Sequence, residues 1–158
     1  MKGKNTKIYA IGALIALAVG VLSGILTRGS MQLYTDMITK PPLSPPGWLF
    51  PVVWTILYIL MGVGAAMIWS ETPGAARSRG LNLYVAQLVV NFFWSLIFFN
   101  GQAYGFAALW LILLWVLVFL MILQFWKINK TAAYLQIPYL LWLSFAAYLN
   151  IAVWLINR

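Results

Sequence analysis

The chain contains no cysteine and no histidine, and only two of its 158 residues are acidic, Asp36 and Glu71. Without cysteine the protein can form neither a disulfide bond nor a thiolate-bound cluster. Without histidine it lacks the commonest metal ligand and proton shuttle. Hydrolytic catalysis is not favoured, because no histidine can act as a general base and no cysteine can act as a nucleophile. We therefore expect no metal site and no required cofactor.

Charged residues are also absent from four long segments, residues 8–27, 41–70, 80–126 and 131–157. A helix crosses the bilayer core with roughly 20 apolar residues. The third segment is long enough for two such helices, and Asn100-Gly101-Gln102 interrupts its middle and predicts a tight hairpin. Proton-coupled transporters and pumps normally carry an ionisable side chain inside a span. The lack of one argues against a small proton-coupled antiporter.

The residues that are present are mostly apolar: 64% are hydrophobic and 8% are charged. A soluble domain of this length cannot bury so much apolar surface. Inside lipid the backbone must be paired in helices or a closed barrel, and these segments lack the alternation of barrel strands. We predict an all-α membrane protein with one domain over residues 1–158, a single bundle of five transmembrane helices. The predicted spans are 8–26, 48–69, 81–99, 104–126 and 132–156, with a lid loop at 27–47.

The ten basic residues lie outside these spans and give a net charge of +8. They form no stripe with interleaved aromatic residues, so we expect no nucleic-acid partner. Cytoplasmic loops carry an excess of Lys and Arg. More of these residues lie on the side of the membrane that carries the N-terminus, which predicts a cytoplasmic N-terminus and an external C-terminus. That side holds Lys2, Lys4, Lys7, Arg77, Arg79, Lys127 and Lys130, and the other holds Arg28, Lys40 and Arg158.

The predicted loop contains a proline-rich segment, Lys40-Pro41-Pro42-Leu43-Ser44-Pro45-Pro46-Gly47. Such a segment cannot be helical and favours a stiff, extended backbone. It suits a lid or a wall over a site at the membrane surface. The alternative is that it only stops one helix and starts the next, with Pro45 or Pro46 in the first turn. Upstream, residues 31–38 fit a short interfacial helix.

Two further features concern helix geometry. Pro138 lies inside the fifth predicted span and predicts a kink or an early break. In the first span Ala16, Gly20 and Gly24 form a row of small residues that permits a close helix contact. That contact lies either within the bundle or between subunits.

Three of the predicted helices each carry aromatic and amide side chains on one face, because residues three, four or seven positions apart share a face. The amides should point inward, since an unpaired amide in hydrocarbon is costly. The three faces either form a slot for a flat apolar ligand or pack against one another. The residues are Trp54 and Tyr58 in the second span, Asn91, Trp94 and Ser95 in the third, and Tyr139, Trp142, Ala146 and Asn150 in the fifth.

Three motifs follow one another along the chain. The first is Lys40-Pro41 through Pro45-Pro46-Gly47 with Pro51-Val52-Val53-Trp54-Thr55-Ile56-Leu57-Tyr58. The second is Ala86-Gln87-Leu88-Val89-Val90-Asn91-Phe92-Phe93-Trp94-Ser95 with Phe98-Phe99. The third is Pro138-Tyr139-Leu140-Leu141-Trp142 with Phe145-Ala146 and Leu149-Asn150. In this order and spacing they resemble the tryptophan-rich sensory protein family, also called the translocator protein or peripheral benzodiazepine receptor family. The chain is identified as a bacterial member.

The resemblance implies an integral protein of the bacterial cell membrane, often a homodimer, that binds a protoporphyrin-type tetrapyrrole as sensor, regulator or carrier. One alternative is a light-dependent porphyrin-degrading enzyme in which Trp54 and Trp142 take part. Another is a membrane scaffold that signals through a protein partner. With the lid-side Tyr34 and Lys40 added, the expected ligand-binding residues are Tyr34, Lys40, Pro45, Trp54, Tyr58, Asn91, Trp94, Ser95, Trp142, Ala146 and Asn150.

The chain departs from the family pattern in its lid. Leu43 stands where the family usually has a tryptophan, and Tyr34-Thr35 stand where a Trp-Tyr pair is usual. Both differences remove aromatic surface from the outer wall of the expected site. Because histidine and cysteine are absent, we expect a metal-free porphyrin rather than one held through an iron ligand.

Overall fold

The computed structural model describes residues 2–158, with side chains from residue 5 onward. Within this part of the chain five helices are long and apolar enough to cross a membrane, which confirms the predicted fold class. The third span ends in a π-helical turn, and the fifth is divided into a short and a long helix. The elements are α1 (Lys2–Met37), α2 (Leu49–Trp69), α3 (Ala75–Ser95) with its π-helical turn (Leu96–Asn100), α4 (Tyr104–Trp126), α5 (Lys130–Tyr134) and α6 (Ile137–Ile156).

The predicted loop at 27–47 is wrong in its first half, because α1 continues to Met37. Arg28 marks where the apolar run ends, but a charged residue does not end a helix that projects into water. α1 has 36 residues and is about 54 Å long at about 1.5 Å per residue, and the bilayer core is about 30 Å thick. The helix ends shortly before Pro41, since proline disfavours helical backbone in the residue before it. The lid loop of the structure is therefore residues 38–48.

The hairpin between the third and fourth spans is confirmed. The π-helical turn ends at Asn100 and α4 begins at Tyr104, with Gln102 in a left-handed conformation at φ 49°. The Asn100 side chain donates from Nδ2 to the Leu26 carbonyl oxygen at 3.1 Å. This bond ties the hairpin to α1.

The fifth span breaks early, as Pro138 predicts. α5 ends at Tyr134 and α6 begins at Ile137, so that Pro138 lies in the first turn, where a missing backbone N–H costs nothing. At the break Gln136 turns into the bundle and is 0% exposed. Its Nε2 donates to the carbonyl oxygens of Leu60, at 3.2 Å, and Ala132, at 3.3 Å. The break thus joins α5 and α6 to α2.

Glycines bring α1 and α2 into backbone contact. A Cβ atom on Gly12 would collide with the Gly62 carbonyl oxygen, and one on Gly20 would collide with the Tyr58 ring. Ala16, between them, is fully buried. Gly24 has open space around it. The row of small residues therefore packs within the bundle through Ala16 and Gly20, and its last member does not.

Candidate ligand-binding site

The lid loop is fastened to α6 by side chains near the end of that helix. Asn157 accepts from the Thr39 backbone N–H through Oδ1 at 3.1 Å and donates from Nδ2 to the Thr39 carbonyl oxygen at 3.0 Å. The Tyr148 hydroxyl donates to the Pro42 carbonyl oxygen at 2.9 Å. The loop therefore does more than stop one helix and start another, because it is anchored across the end of the bundle.

Leu43 occupies a strained position at the tip of this loop. Ser44 donates its backbone N–H, at 3.3 Å, and its hydroxyl, at 2.7 Å, to the Pro41 carbonyl oxygen. Leu43 has φ 68°, which matches the third position of a type II turn, normally a glycine. Its side chain is 80% exposed and covers nothing inside the bundle.

Amide and hydroxyl groups from α3 and α6 form a buried relay. Asn91 donates from Nδ2 to the Tyr139 hydroxyl at 2.9 Å, and that hydroxyl donates to Gln87 Oε1 at 2.8 Å. Gln87 also approaches Met61 of α2, with Nε2 at 3.6 Å from Sδ. Asn91 further interacts with the Tyr58 hydroxyl. Gln87 was missed at the sequence level, although it lies one turn before Asn91 on the same face.

A second polar link lies nearer the hairpin. Trp94 donates from Nε1 to Asn150 Oδ1 at 3.1 Å, and Asn150 donates from Nδ2 to the Tyr104 carbonyl oxygen at 2.8 Å. The Trp94 ring stacks on Phe98 with their centroids 5.2 Å apart. These contacts join α3, α4 and α6 and give the Asn150 amide its partners. Asn91 has its partner in the relay, so both amides that were predicted to point inward are hydrogen-bonded.

The faces of α2, α3 and α6 pack directly against one another. Trp54 lies 5.7 Å from Tyr58 and 6.2 Å from Tyr139 between ring centroids. Tyr139 is 0% exposed and Asn91 is 1% exposed, so not even a water-sized space lies beside them. Ala146 is also buried. Of the two arrangements that the spacing allowed, this structure shows the closed one between these side chains.

Trp142 is the exception within the predicted site. Its indole Nε1–H is buried and has no hydrogen-bond partner among the described residues. Its ring meets Phe50 edge-on at 5.9 Å and lies 5.6 Å from Phe145. Beside it lies a groove of about 440 Å³ between α2 and α6. The groove is lined by Val53, Ile56, Leu57, Pro138, Leu141, Trp142 and Phe145.

The groove is apolar and opens toward the lipid, because Ile56 and Leu141 on its walls are exposed. A groove of this kind suits an apolar ligand that enters from the membrane. Helical spacing alone could not distinguish Trp142 from Tyr139, since it places both residues on the same face.

The remaining predicted residues do not line this groove. Tyr34 packs against Phe98 and Phe99 of the π-helical turn, with centroids 5.4 and 5.6 Å apart. Ser95 is half-buried at the end of α3, and Pro45 is half-buried in the lid loop. Lys40 is exposed on the lid loop.

Comparison with known proteins agrees with the resemblance of the three motifs. Residues 12–155 match the TspO/MBR family. The chain is 37% identical over 147 residues to the tryptophan-rich protein TspO of Chlorobaculum tepidum, a match that covers 90% of this chain and 91% of that protein. It is 33% identical over 155 residues to protein CrtK of Rhodobacter capsulatus, covering 95% and 92%. It is 35% identical over 141 residues to the translocator protein of Bos taurus, covering 88% and 83%. The chain therefore belongs to the TspO/MBR family and is an integral membrane protein.

Proposed function

We propose that this protein binds a planar, apolar ligand of the tetrapyrrole class within the membrane and acts as its sensor, regulator or carrier. The observation that carries the proposal is the buried, unpaired indole N–H of Trp142 beside the α2–α6 groove. A buried donor without a partner costs about 1–3 kcal/mol. A ligand that supplies an acceptor there recovers this free energy.

The size and walls of the groove support such a ligand. Its volume of about 440 Å³ lies within the roughly 300–1,000 Å³ of small-molecule sites. Trp142 and Phe145 provide aromatic surface, and ring stacking contributes roughly 0.5–1.5 kcal/mol per pair beyond burial. No lining residue is charged, so the carboxylates of a porphyrin would stay at the membrane surface, where Lys40 of the lid loop is exposed.

Two further features bear on the kind of ligand and its handling. The chain has no histidine or cysteine to hold a haem iron, which favours a metal-free porphyrin. Relatives named translocator protein fit a carrier role. The lid loop, held by its bonds to Asn157 and Tyr148, keeps Lys40 at the end of the bundle.

The test compares two tryptophan-to-phenylalanine variants in nanodiscs. Trp142→Phe keeps an aromatic ring and removes the unpaired N–H. Trp110→Phe is the matched control, because its indole donates to the Val90 carbonyl oxygen at 2.7 Å, outside the groove. Protoporphyrin IX is titrated while tryptophan fluorescence quenching is followed. We expect the Trp142 variant to bind about 5- to 150-fold more weakly, the range that corresponds to the cost of about 1–3 kcal/mol for a buried donor without a partner.

The outcomes separate the parts of the proposal. If both variants bind protoporphyrin IX with the affinity of the unmodified chain, the Trp142 N–H does not contribute to binding. Absence of saturable porphyrin quenching in the unmodified chain would refute the proposed function itself. Illumination of the complex distinguishes a carrier from an enzyme. The porphyrin absorption spectrum persists if the protein is a carrier. It declines if the protein is an enzyme, and the decline then depends on Trp54 and Trp142.

We also propose that the N-terminus faces the cytoplasm. Exposed basic residues are concentrated at the turns beside the N-terminal side, including Arg79, Lys127 and Lys130. This follows the excess of Lys and Arg in cytoplasmic loops. With five spans, the C-terminus then lies outside.

A further inference from the structure

Two turns at the same end of the bundle are joined into one surface. Asn129, between α4 and α5, donates from Nδ2 to Glu71 Oε1 at 2.8 Å, and Glu71 follows α2. Gln124 of α4 donates from Nε2 to the Ala76 carbonyl oxygen at 3.0 Å. These side-chain bonds hold the two turns together, so the backbone positions that carry the charges lie on one surface.

This surface, which we call the basic face, is strongly positive. Glu71 is its one acidic residue, and the Asn129 amide already occupies its carboxylate. Gly80 packs on Ile128, whose Cδ1 lies 3.5 Å from the place that a Cβ atom on Gly80 would take. The basic residues that precede these two, Arg79 and Lys127, are exposed. The cations of the basic face are Arg77, Arg79, Lys127 and Lys130, four positive charges against one negative.

One of these cations holds the surface together. Arg77 donates from its guanidinium to the carbonyl oxygens of Trp69, at 3.0 Å, and Glu71, at 3.1 Å, and it lies 4.9 Å above the Trp69 ring. It therefore closes the C-terminal end of α2. Arg79 donates from Nε to the Ala75 carbonyl oxygen at 3.4 Å. Its other guanidinium nitrogens, together with the exposed Lys127 and Lys130, are left to meet an anion.

Exposed aromatic rings share the basic face. Lys130 lies 5.6 Å from the centroid of Trp126, and Tyr134 meets the same indole edge-on at 5.0 Å. Trp69, Trp126 and Tyr134 are all exposed, and indole and phenol rings prefer the headgroup level of a bilayer. On the membrane side of Trp126, α4 exposes Leu123. Cations at headgroup level above exposed apolar side chains match an amphipathic anion better than a freely soluble one.

We propose that the basic face binds the phosphodiester headgroup of an anionic phospholipid, with the acyl chains lying along the exposed side of α4. Lys127, Lys130 and Arg79 meet the phosphate, and Trp126 and Tyr134 pack at the glycerol level. This site is separate from the α2–α6 groove and is independent of the porphyrin proposal.

Native mass spectrometry of the full chain, released from detergent, tests the site with phosphatidylglycerol and phosphatidylcholine. The test variant is K127Q/K130Q, whose two side chains are exposed. The matched control is R28Q/K40Q, which removes the same charge from the opposite end. A basic residue at an anionic membrane surface contributes about 1 kcal/mol, or about fivefold. We expect the test variant to bind phosphatidylglycerol about 25-fold more weakly and the control to bind it normally.

Each outcome decides the proposal. Preference for phosphatidylglycerol that K127Q/K130Q loses, and that K127R/K130R keeps, supports it. Equal binding of both lipids, or an equal loss in both charge-reduced variants, overturns it, because net charge alone would then explain binding. Full competition by inorganic phosphate also overturns it, because the site would then take a free anion. Far-UV circular dichroism of each variant confirms that helix content is unchanged.

Discussion

Replacing Tyr139 by phenylalanine removes one oxygen atom from the centre of the bundle and leaves the ring in place. That oxygen accepts from Asn91 Nδ2 and donates to Gln87 Oε1. Tyr139 and Gln87 are 0% exposed and Asn91 is 1% exposed, so neither water nor lipid reaches the two groups that lose a partner. The substitution tests whether this relay stabilises the contact between α3 and α6.

The magnitude follows from two competing estimates. Hydrogen bonds between helices in membranes average about 0.6 kcal/mol and reach about 1.7, because the unfolded helices find other partners. A buried group without a partner costs about 1–3 kcal/mol. Here two groups are orphaned in closed packing, although Asn91 keeps its contact with Tyr58. We expect the free energy of unfolding to fall by about 2–3 kcal/mol, above two average membrane bonds.

Reversible unfolding in mixed micelles, followed by tryptophan fluorescence and circular dichroism, measures this change. Tyr134→Phe is the control, since Tyr134 is 55% exposed at the surface, and it should change stability by less than about 0.5 kcal/mol. A double-mutant cycle with Asn91→Leu isolates the pair. A loss for Tyr139→Phe no larger than that of the control would mean that the relay contributes no stability.

Three further predictions address the helix contact, the lid loop and the topology. Gly12→Ala places a methyl group against the Gly62 carbonyl and should lower the free energy of unfolding by about 1–3 kcal/mol. The control Gly24→Ala lies in open space and should raise the free energy of unfolding by up to about 1 kcal/mol. Equal effects of the two variants in the same micelle assay would contradict the contact. Asn157→Ala removes the acceptor of the Thr39 N–H. Amide hydrogen exchange at Thr39 should therefore become at least tenfold faster, while exchange in α4 is unchanged. Slow exchange at Thr39 in this variant would show that the lid loop is held by other bonds. A reporter enzyme that works only in the cytoplasm should be active when fused before residue 1 and inactive when fused after Arg158, and the reverse pattern would refute the proposed orientation.

The helices were predictable because their signals are local. The charge-free segments defined five spans, Asn100-Gly101-Gln102 defined the hairpin, and Pro138 defined the break. The end of α1 was not predictable from the same signal, because Arg28 reports where the hydrocarbon ends and says nothing about the backbone beyond it. The positions of charged residues therefore predict where a span leaves the bilayer core more reliably than they predict where its helix ends.

The candidate site was only partly predictable. Spacing placed Asn91, Tyr139 and Trp142 on inward faces, but it cannot give the distance between faces, which decides between a slot and closed packing. Gln136 turns inward only because the chain breaks beside it. Whether the Trp142 N–H has a hydrogen-bond partner depends on the positions of all the atoms around it. No sequence pattern gives those positions.

The contact between Gly12 and Gly62 has a genetic consequence. In most tightly packed pairs, a larger residue on one side can be compensated by a smaller one on the other. Here the nearest opposing atom is the Gly62 backbone carbonyl oxygen, with the Ala66 Cβ beside it, and both residues of the pair are already glycine, so neither partner can shrink. A screen for suppressors of an enlarged residue 12 should therefore recover none at position 62, and a smaller residue at position 66 would relieve only the contact with the Ala66 methyl group.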